Sequence, residues 1–226
     1  MIPTIVLTNN RHLPLLRGFS YLWNKYAGEK PVTIFGFDAP GFKLPDNFVF
    51  HSLGEQLPVQ QWSKGLRQAI EVLGQKSFIL LLEDFWFYDR VNWQLINLVS
   101  KMMDDTILRI DLSGNRASYT KFARNIGQIN EYDIIETGPK APYQMSYQAG
   151  IWHSQNLLNI LRDDENPWES EINGSNRVRN LRIIGTHPAA MYYQPVWRTK
   201  KKSWQLSRIK TDDIKVIKIN RWCDGI

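Results

Sequence analysis

The chain has 226 residues, 43% of them hydrophobic, which suffices for one large α/β domain whose core needs no covalent staples. Its single cysteine, Cys223, excludes an intramolecular disulfide framework and any zinc site built on several cysteines. The net charge is +6, and the stretch from Trp197 to Ile226, with nine Lys/Arg against three Asp, accounts for all of it. Such a basic extension favours an anionic partner, whether nucleotide phosphate, nucleic acid or membrane surface; for Lys200-Lys201-Lys202 a solvated face is the plain alternative. No apolar stretch approaches the length that spans a membrane, and Met1-Ile2-Pro3-Thr4 lacks the charged start of a signal peptide, so a cytoplasmic protein without a transmembrane segment is expected.

In chain order, Thr4-Ile5-Val6-Leu7 reads as a short buried strand, and the polar turn Thr8-Asn9-Asn10-Arg11 after it as a nucleotide-contacting edge. Leu13, Leu16, Phe19, Leu22, Trp23 and Tyr26 fall at helical spacing, with Pro14 setting the helix start. Val32 to Phe37 is a second strand, completing a βαβ unit, and Phe48-Val49-Phe50 a short third. A helix through Leu66, Ala69, Ile70 and Leu73 stops at Gly74. Asp89 is a candidate N-cap for the helix carrying Val91, Leu95 and Val99. Ile107 to Leu112 mixes apolar and charged residues and suggests a half-exposed strand with Arg109 and Asp111 on one face. Ser113 to Gln128 reads as a loop, Tyr132 to Glu136 as a strand, Ser207 to Lys215 as a polar helix and Val216 to Ile219 as a terminal strand. The order indicates an α/β fold with a doubly wound, mostly parallel central sheet flanked by helices, and a basic C-terminal extension over 197–226.

Two stretches carry chemistry. Phe78-Ile79-Leu80-Leu81-Leu82 is an unbroken apolar run of strand length that ends abruptly at Glu83-Asp84. In open α/β sheets ligands collect beyond the carboxyl ends of strands, so these carboxylates stand where a ligand binds. A divalent cation held by one or two carboxylates and substrate phosphates would relieve their repulsion, while a capped turn is the simpler reading of the same pair. The second stretch is Gln148-Ala149-Gly150-Ile151-Trp152, followed by Pro167-Trp168-Glu169-Ser170-Glu171. If Pro167 opens a helix, Glu169 and Glu171 point to different faces, one toward a cleft and one toward solvent. The chain contains no phosphate-loop, zincin, nucleophile-elbow or dinucleotide fingerprint.

Together with Met191-Tyr192-Tyr193-Gln194-Pro195-Val196-Trp197, the blocks Leu80 to Trp86, Gln148 to Trp152 and Pro167 to Glu171 resemble those of nucleotide-sugar glycosyltransferases with the GT-A fold, of the small bacterial or phage type. The resemblance implies a catalytic domain over 1–196, with a nucleotide-binding half over 1–112 and an acceptor half over 113–196. It implies a nucleotide held at Thr8, Asn9, Asn10, Arg11 and Asp84, and a Mn²⁺ or Mg²⁺ ion at Asp84 and Glu83, with His187 as a late ligand. The motif here reads Glu-Asp-Phe, with Phe85 where a second aspartate could stand. Without a metal, Arg198 and Lys200 would neutralise the diphosphate. Glu171 is implied as the general base acting on an acceptor hydroxyl, with Glu169 its rival and inversion as the outcome. Trp86, Gln148, Trp152 and Trp168 are implied at the acceptor. The implied reaction moves a sugar from a nucleoside-diphosphate sugar to a saccharide; a modified base in DNA, or nucleic-acid binding without catalysis, is the alternative the basic extension leaves open.

Overall fold

A computed structural model describes residues 2–118, 121–178, 180–196 and 206–222. The strands are β1 (Thr4–Leu7), β2 (Val32–Gly36), β3 (Phe48–Ser52), β4 (Ser77–Leu82), β5 (Phe85–Phe87), β6 (Ile107–Asp111), β7 (Ala123–Ile129), β8 (Tyr132–Thr137), β9 (Gly150–His153), β10 (Arg182–His187) and β11 (Tyr193–Pro195). The helices are α1 (Leu15–Trp23), α2 (Trp62–Leu73), α3 (Trp93–Ser100), α4 (Ser154–Ile160), α5 (Pro167–Arg177) and α6 (Thr211–Ile219). Nine strands form one sheet in the order β3-β2-β1-β4-β9-β6-β10-β8-β7, and β5 pairs with β11 in a separate two-stranded ribbon. β2 and β3 are parallel. β4 and β6 both run antiparallel to β9 and therefore point the same way, and β10 follows β6 in parallel. Among the strands from β4 to β7 in that order, β9 and β8 oppose this direction, and the chain adopts the expected α/β fold with a large, mostly parallel sheet and flanking helices.

The chain divides into two compact units. The first comprises Met1–Ile5, Leu57–Leu81 and Asn92–Ala190. Its core is mostly aliphatic: Leu66, Ala69 and Ile70 of α2, Leu95, Ile96 and Val99 of α3, Ile79 to Leu81 of β4, and Leu157 and Ile160 of α4 are buried, joined by Phe78, Tyr147 and Trp152. α2 ends where Gly74 takes a left-handed φ of 61°, which suits glycine because it has no Cβ to clash. α3 begins at Asn92, whose side chain accepts from Leu95 N–H; the cap expected of Asp89 does not form, because its carboxylate accepts from its neighbour Arg90 N–H instead.

β6 departs from the half-exposed strand expected of it, since all five of its residues are buried. Its charges pair with one another and with a neighbour: Arg109 Nη2 lies 2.9 Å from Asp111 Oδ2, and Arg116 Nε lies 3.5 Å from the same oxygen. Pairing is what allows a charged strand to be buried at tolerable cost. The segment expected as a loop contains a 3₁₀ turn over Asn115–Ser118 and then β7. β7 exposes nearly every side chain and is held by its backbone ladder to β8, so it has no apolar period to read. The turn of this hairpin places Asn130 at a φ of 53°, a conformation asparagine tolerates better than most residues.

The second unit comprises Val6–Gln56, Leu82–Val91 and Met191–Ile226. Its core is aromatic: the Phe19 ring lies 6.1 Å from Trp23, 6.3 Å from Phe48 and 6.0 Å from Phe87. α1 starts directly after Pro14, as expected. The expected terminal strand at Val216 to Ile219 is instead the second half of α6. Asp213 and Ile217, four residues apart on one helical face, are its buried residues.

Candidate functional site

The second unit places the polar turn after β1 beside the end of β2. Thr8 N–H donates to the carbonyl of Phe35, so the two strands stay paired to the start of the turn. Gly36 is required there, because a Cβ on it would meet the Thr8 methyl at 2.9 Å. Asn9 caps the following 3₁₀ turn by accepting from His12 N–H at 3.2 Å. Asn10 is clamped from both sides: its amide nitrogen donates to Asp38 Oδ2 at 2.7 Å, and its Oδ1 accepts from Asp38 N–H at 2.9 Å. Gln56 Oε1 accepts from Asn10 N–H. Arg11 is exposed. Asp38 and Gln56 were not singled out in the sequence; the signal for Asp38 was its place just beyond the second strand, where the strand-end rule applies as it does to Asn10.

At the end of β4, Glu83 and Asp84 have opposite surroundings. Glu83 is buried and accepts a 2.6 Å hydrogen bond from His12 Nδ1. That bond, and the attraction of both carboxylates, raise the His12 pKa in spite of the opposing effect of burial. Asp84 is half-buried, and its Oδ1 is fully buried without a hydrogen-bond partner. Burial, and then repulsion by Glu83, push its pKa up to about 7. The Asp84 carbonyl accepts from Val196 N–H, which ties this turn to the β5–β11 ribbon.

Trp86, implied at an acceptor, is instead a core residue. It is fully buried, with its indole so close over Gly18 that a Cβ there would fall 2.3 Å from the ring. Phe85, at the position where a second aspartate could stand, stacks on Tyr193 at 4.4 Å.

In the first unit, the Pro167 block forms α5 as the proline suggested. Asn166 accepts from Glu169 N–H, and the Glu169 carboxylate accepts from Asn166 N–H, a reciprocal cap that satisfies two orphan donors. Glu169 therefore holds a helix end. Glu171 turns the other way: its Oε1 accepts from Tyr147 N–H at 2.6 Å. Burial raises its pKa, against the hydrogen bond from Tyr147 and the charge of Arg109.

Trp152 is likewise corrected to the core, fully buried with its ring 5.3 Å from the Arg109 guanidinium and 5.7 Å from Tyr147. Gln148 is half-buried, and its carbonyl accepts from Arg109 Nη2. Of the four residues implied at an acceptor, Trp168 alone offers an open face, at 67% exposed. The buried charges Arg109, Asp111 and Arg116 were outside the sequence-based site; the signal for them was Arg109 and Asp111 interrupting an apolar strand.

His187 is exposed at the end of β10, opposite Asp133 of β8 in register. Among the described residues, no cluster of three His, Cys, Asp or Glu side chains could hold a metal ion. Arg198 and Lys200 lie outside the described residues, as does Cys223. No helix among the described residues is long and apolar enough to cross a membrane.

Sheet order and strand directions define a GT-A-like α/β fold. Residues 1–349 of S. aureus TarS, solved with UDP, superpose with a TM-score of 0.54 at 14% identity, over 86% of this chain and 60% of that one. UDP-glucose pyrophosphorylase complexed with UDP-glucose superposes with a TM-score of 0.50 at 12% identity, over 86% of this chain and 92% of that one. At such identities the likeness is one of fold. No protein-family model and no curated protein sequence matches the chain.

Proposed function

We propose that the chain is a glycosyltransferase that moves a sugar from a nucleoside-diphosphate sugar to a hydroxyl of a saccharide acceptor. The observation that carries the reading is Asp84, a carboxylate with a buried, unpartnered oxygen at the carboxyl end of a central strand. Such an oxygen is poised for a group that arrives with the substrate. The donor groups of the second unit are Thr8, Asn9, Asn10 and Arg11 around the end of β1. The folds that superpose belong to proteins solved with UDP and UDP-glucose, which makes a uridine nucleotide the first choice of donor.

A Mg²⁺ or Mn²⁺ ion fits this turn only in part. Asp84 has coordination capacity left, whereas Glu83 is engaged by His12. Phosphate oxygens of the donor would complete the coordination, as is usual for Mg²⁺. The ion would neutralise charge on the departing diphosphate.

Glu171 of the first unit is the proposed base. Its carboxylate takes the acceptor hydroxyl proton as the hydroxyl oxygen bonds to the anomeric carbon. The bond from that carbon to the diphosphate oxygen breaks, and its electron pair leaves with the nucleoside diphosphate, so the anomeric centre inverts. A raised pKa makes Glu171 a stronger base than an ordinary glutamate near neutral pH. Calorimetric titration with UDP and UDP-glucose, with and without Mn²⁺, tests the reading; absence of binding under both conditions rejects it.

The near-complete coverage of UDP-glucose pyrophosphorylase supports a second reading, nucleotidyl transfer to a sugar phosphate. That reaction consumes UTP and releases pyrophosphate, whereas glycosyl transfer releases UDP. An assay of the released phosphates separates the two.

A further inference from the structure

The second unit contains a cleft of about 670 Å³ beside α1, lined by Arg17, Tyr21, Asn24, Phe42, Lys43 and Trp222 among others. It does not include the Glu83–Asp84 turn. Most polar atoms of its walls are already spent. The Tyr21 hydroxyl donates to Asp213 at 2.9 Å, and the Asn24 and Asn47 side-chain amides bond each other. Lys43 pairs with Asp46 at 3.3 Å. The Arg17 guanidinium lies 4.3 Å over the Phe42 ring, and among the described residues neither a hydrogen bond nor an ion pair engages its side-chain donors.

The cleft thus offers ring faces and one unspent guanidinium. Tyr21 and Trp222 are 5.3 Å apart with their planes inclined at 53°. That angle makes a corner and not the parallel slot in which a flat base is sandwiched. A pyranose ring, with its non-planar C–H faces, fits a corner. Arg17 and Lys43 against Asp46 leave one net positive charge among these residues, which matches a single carboxylate better than a phosphate carrying nearly two negative charges.

We propose that this cleft binds a sugar residue bearing a carboxylate, within an acidic saccharide. Arg17 pairs with the carboxylate, and the ring packs into the corner of Tyr21 and Trp222. The inference goes beyond the transfer reaction and does not depend on it, so it is tested with nucleotide and metal absent. The full chain is titrated with tetragalacturonate and with maltotetraose, a neutral chain of equal length, by calorimetry and by following indole N–H resonances. Tetragalacturonate is expected to bind roughly tenfold more tightly than maltotetraose and to shift the Trp222 resonance. Arg17→Gln is expected to abolish that preference, with a loss of about tenfold, as for removal of one charge-assisted pair. Trp222→Leu, which identifies the resonance, should weaken both saccharides. Arg17→Gln alters a partly exposed helical side chain and leaves the core untouched, so its affinity is decisive even where Trp222→Leu fails to fold. No binding of tetragalacturonate, equal affinity for both saccharides, or wild-type affinity in Arg17→Gln would overturn the proposal; the last result would assign the binding to other basic residues.

Discussion

Two carboxylates of the second unit, Asp213 and Asp84, show how differently the same side chain is used. Asp213 is fully buried and accepts from the Tyr21 hydroxyl at 2.9 Å, the Tyr26 hydroxyl at 2.6 Å and the Lys25 ammonium. Burial alone would raise its pKa, but those donors outweigh it and hold the carboxyl below its usual range. Asp84 has an oxygen with no donor at all, and its pKa is pushed up to about 7. The first carboxylate has its hydrogen bonds satisfied within the fold and fastens α6 to α1. The second is left with an unpartnered oxygen at a strand end, the place where open α/β sheets bind ligands. The first unit repeats the contrast on one helix, with Glu169 spent on a cap and Glu171 held by the Tyr147 N–H and the Ser146 side chain, yet with its pKa raised by burial.

If that division is right, the largest effects on turnover belong to the two carboxylates whose pKa burial raises, Glu171 and Asp84. Glu171→Gln should lower the rate of sugar transfer by roughly 10²–10⁴-fold, the usual contribution of a general base, while leaving UDP affinity unchanged. Because the carboxylate form is the base and burial raises its pKa, the acidic limb of the rate profile should lie above the ordinary glutamate range, with activity rising as pH increases through it. An unshifted limb would remove Glu171 from the role. Asp84→Asn should lower turnover by about 10²–10³-fold with the fold intact, in line with weakening the hold on the ion that would neutralise the departing charge. Full activity in that variant would erase the contrast with Asp213.

The satisfied carboxylates should register in stability and not in turnover per folded molecule. Asp213→Asn removes the charge that pairs with the half-exposed Lys25 and leaves a single oxygen to accept where two did, so it should cost on the order of 1–3 kcal/mol in denaturant unfolding. The sign of its pH dependence is set by the lowered pKa. The stabilisation is present above the unfolded-state value and is lost as pH falls through the folded one, so wild type and Asp213→Asn should converge in stability on acidification below about pH 4. Stability curves that stay parallel down to pH 2 would rule out a native carboxylate at that position. The smallest effect is expected of Asn166→Ala, which removes the reciprocal cap with Glu169 and should cost about 1 kcal/mol, measured by the shift in unfolding midpoint. A large loss of turnover there would return Glu169 to the chemistry.

Much of this was fixed by local pattern. The run Phe78 to Leu82 ending at Glu83-Asp84 is a strand that stops one residue before its carboxylates, because five apolar residues in succession need a buried strand and ionised groups need its end. Pro14, Gly74 and Pro167 mark helix ends as read, since each acts through its own backbone geometry. What the pattern could not supply is which neighbours each side chain acquires. Trp86 and Trp152 are indistinguishable from Trp168 by residue type, yet two are buried under Gly18 and beside Arg109 while the third is open to solvent. The sheet position of β7 rests on backbone bonds to β8, and α6 owes its register to a carboxylate that meets residues about 190 positions earlier in the chain. The roles of Asp84 and Asp213 diverge for the same reason. Hydrogen-bond satisfaction and desolvation depend on residues brought together only by folding, so the sequence determined where carboxylates stand along the chain, and the tertiary structure decided which of them remain available for chemistry.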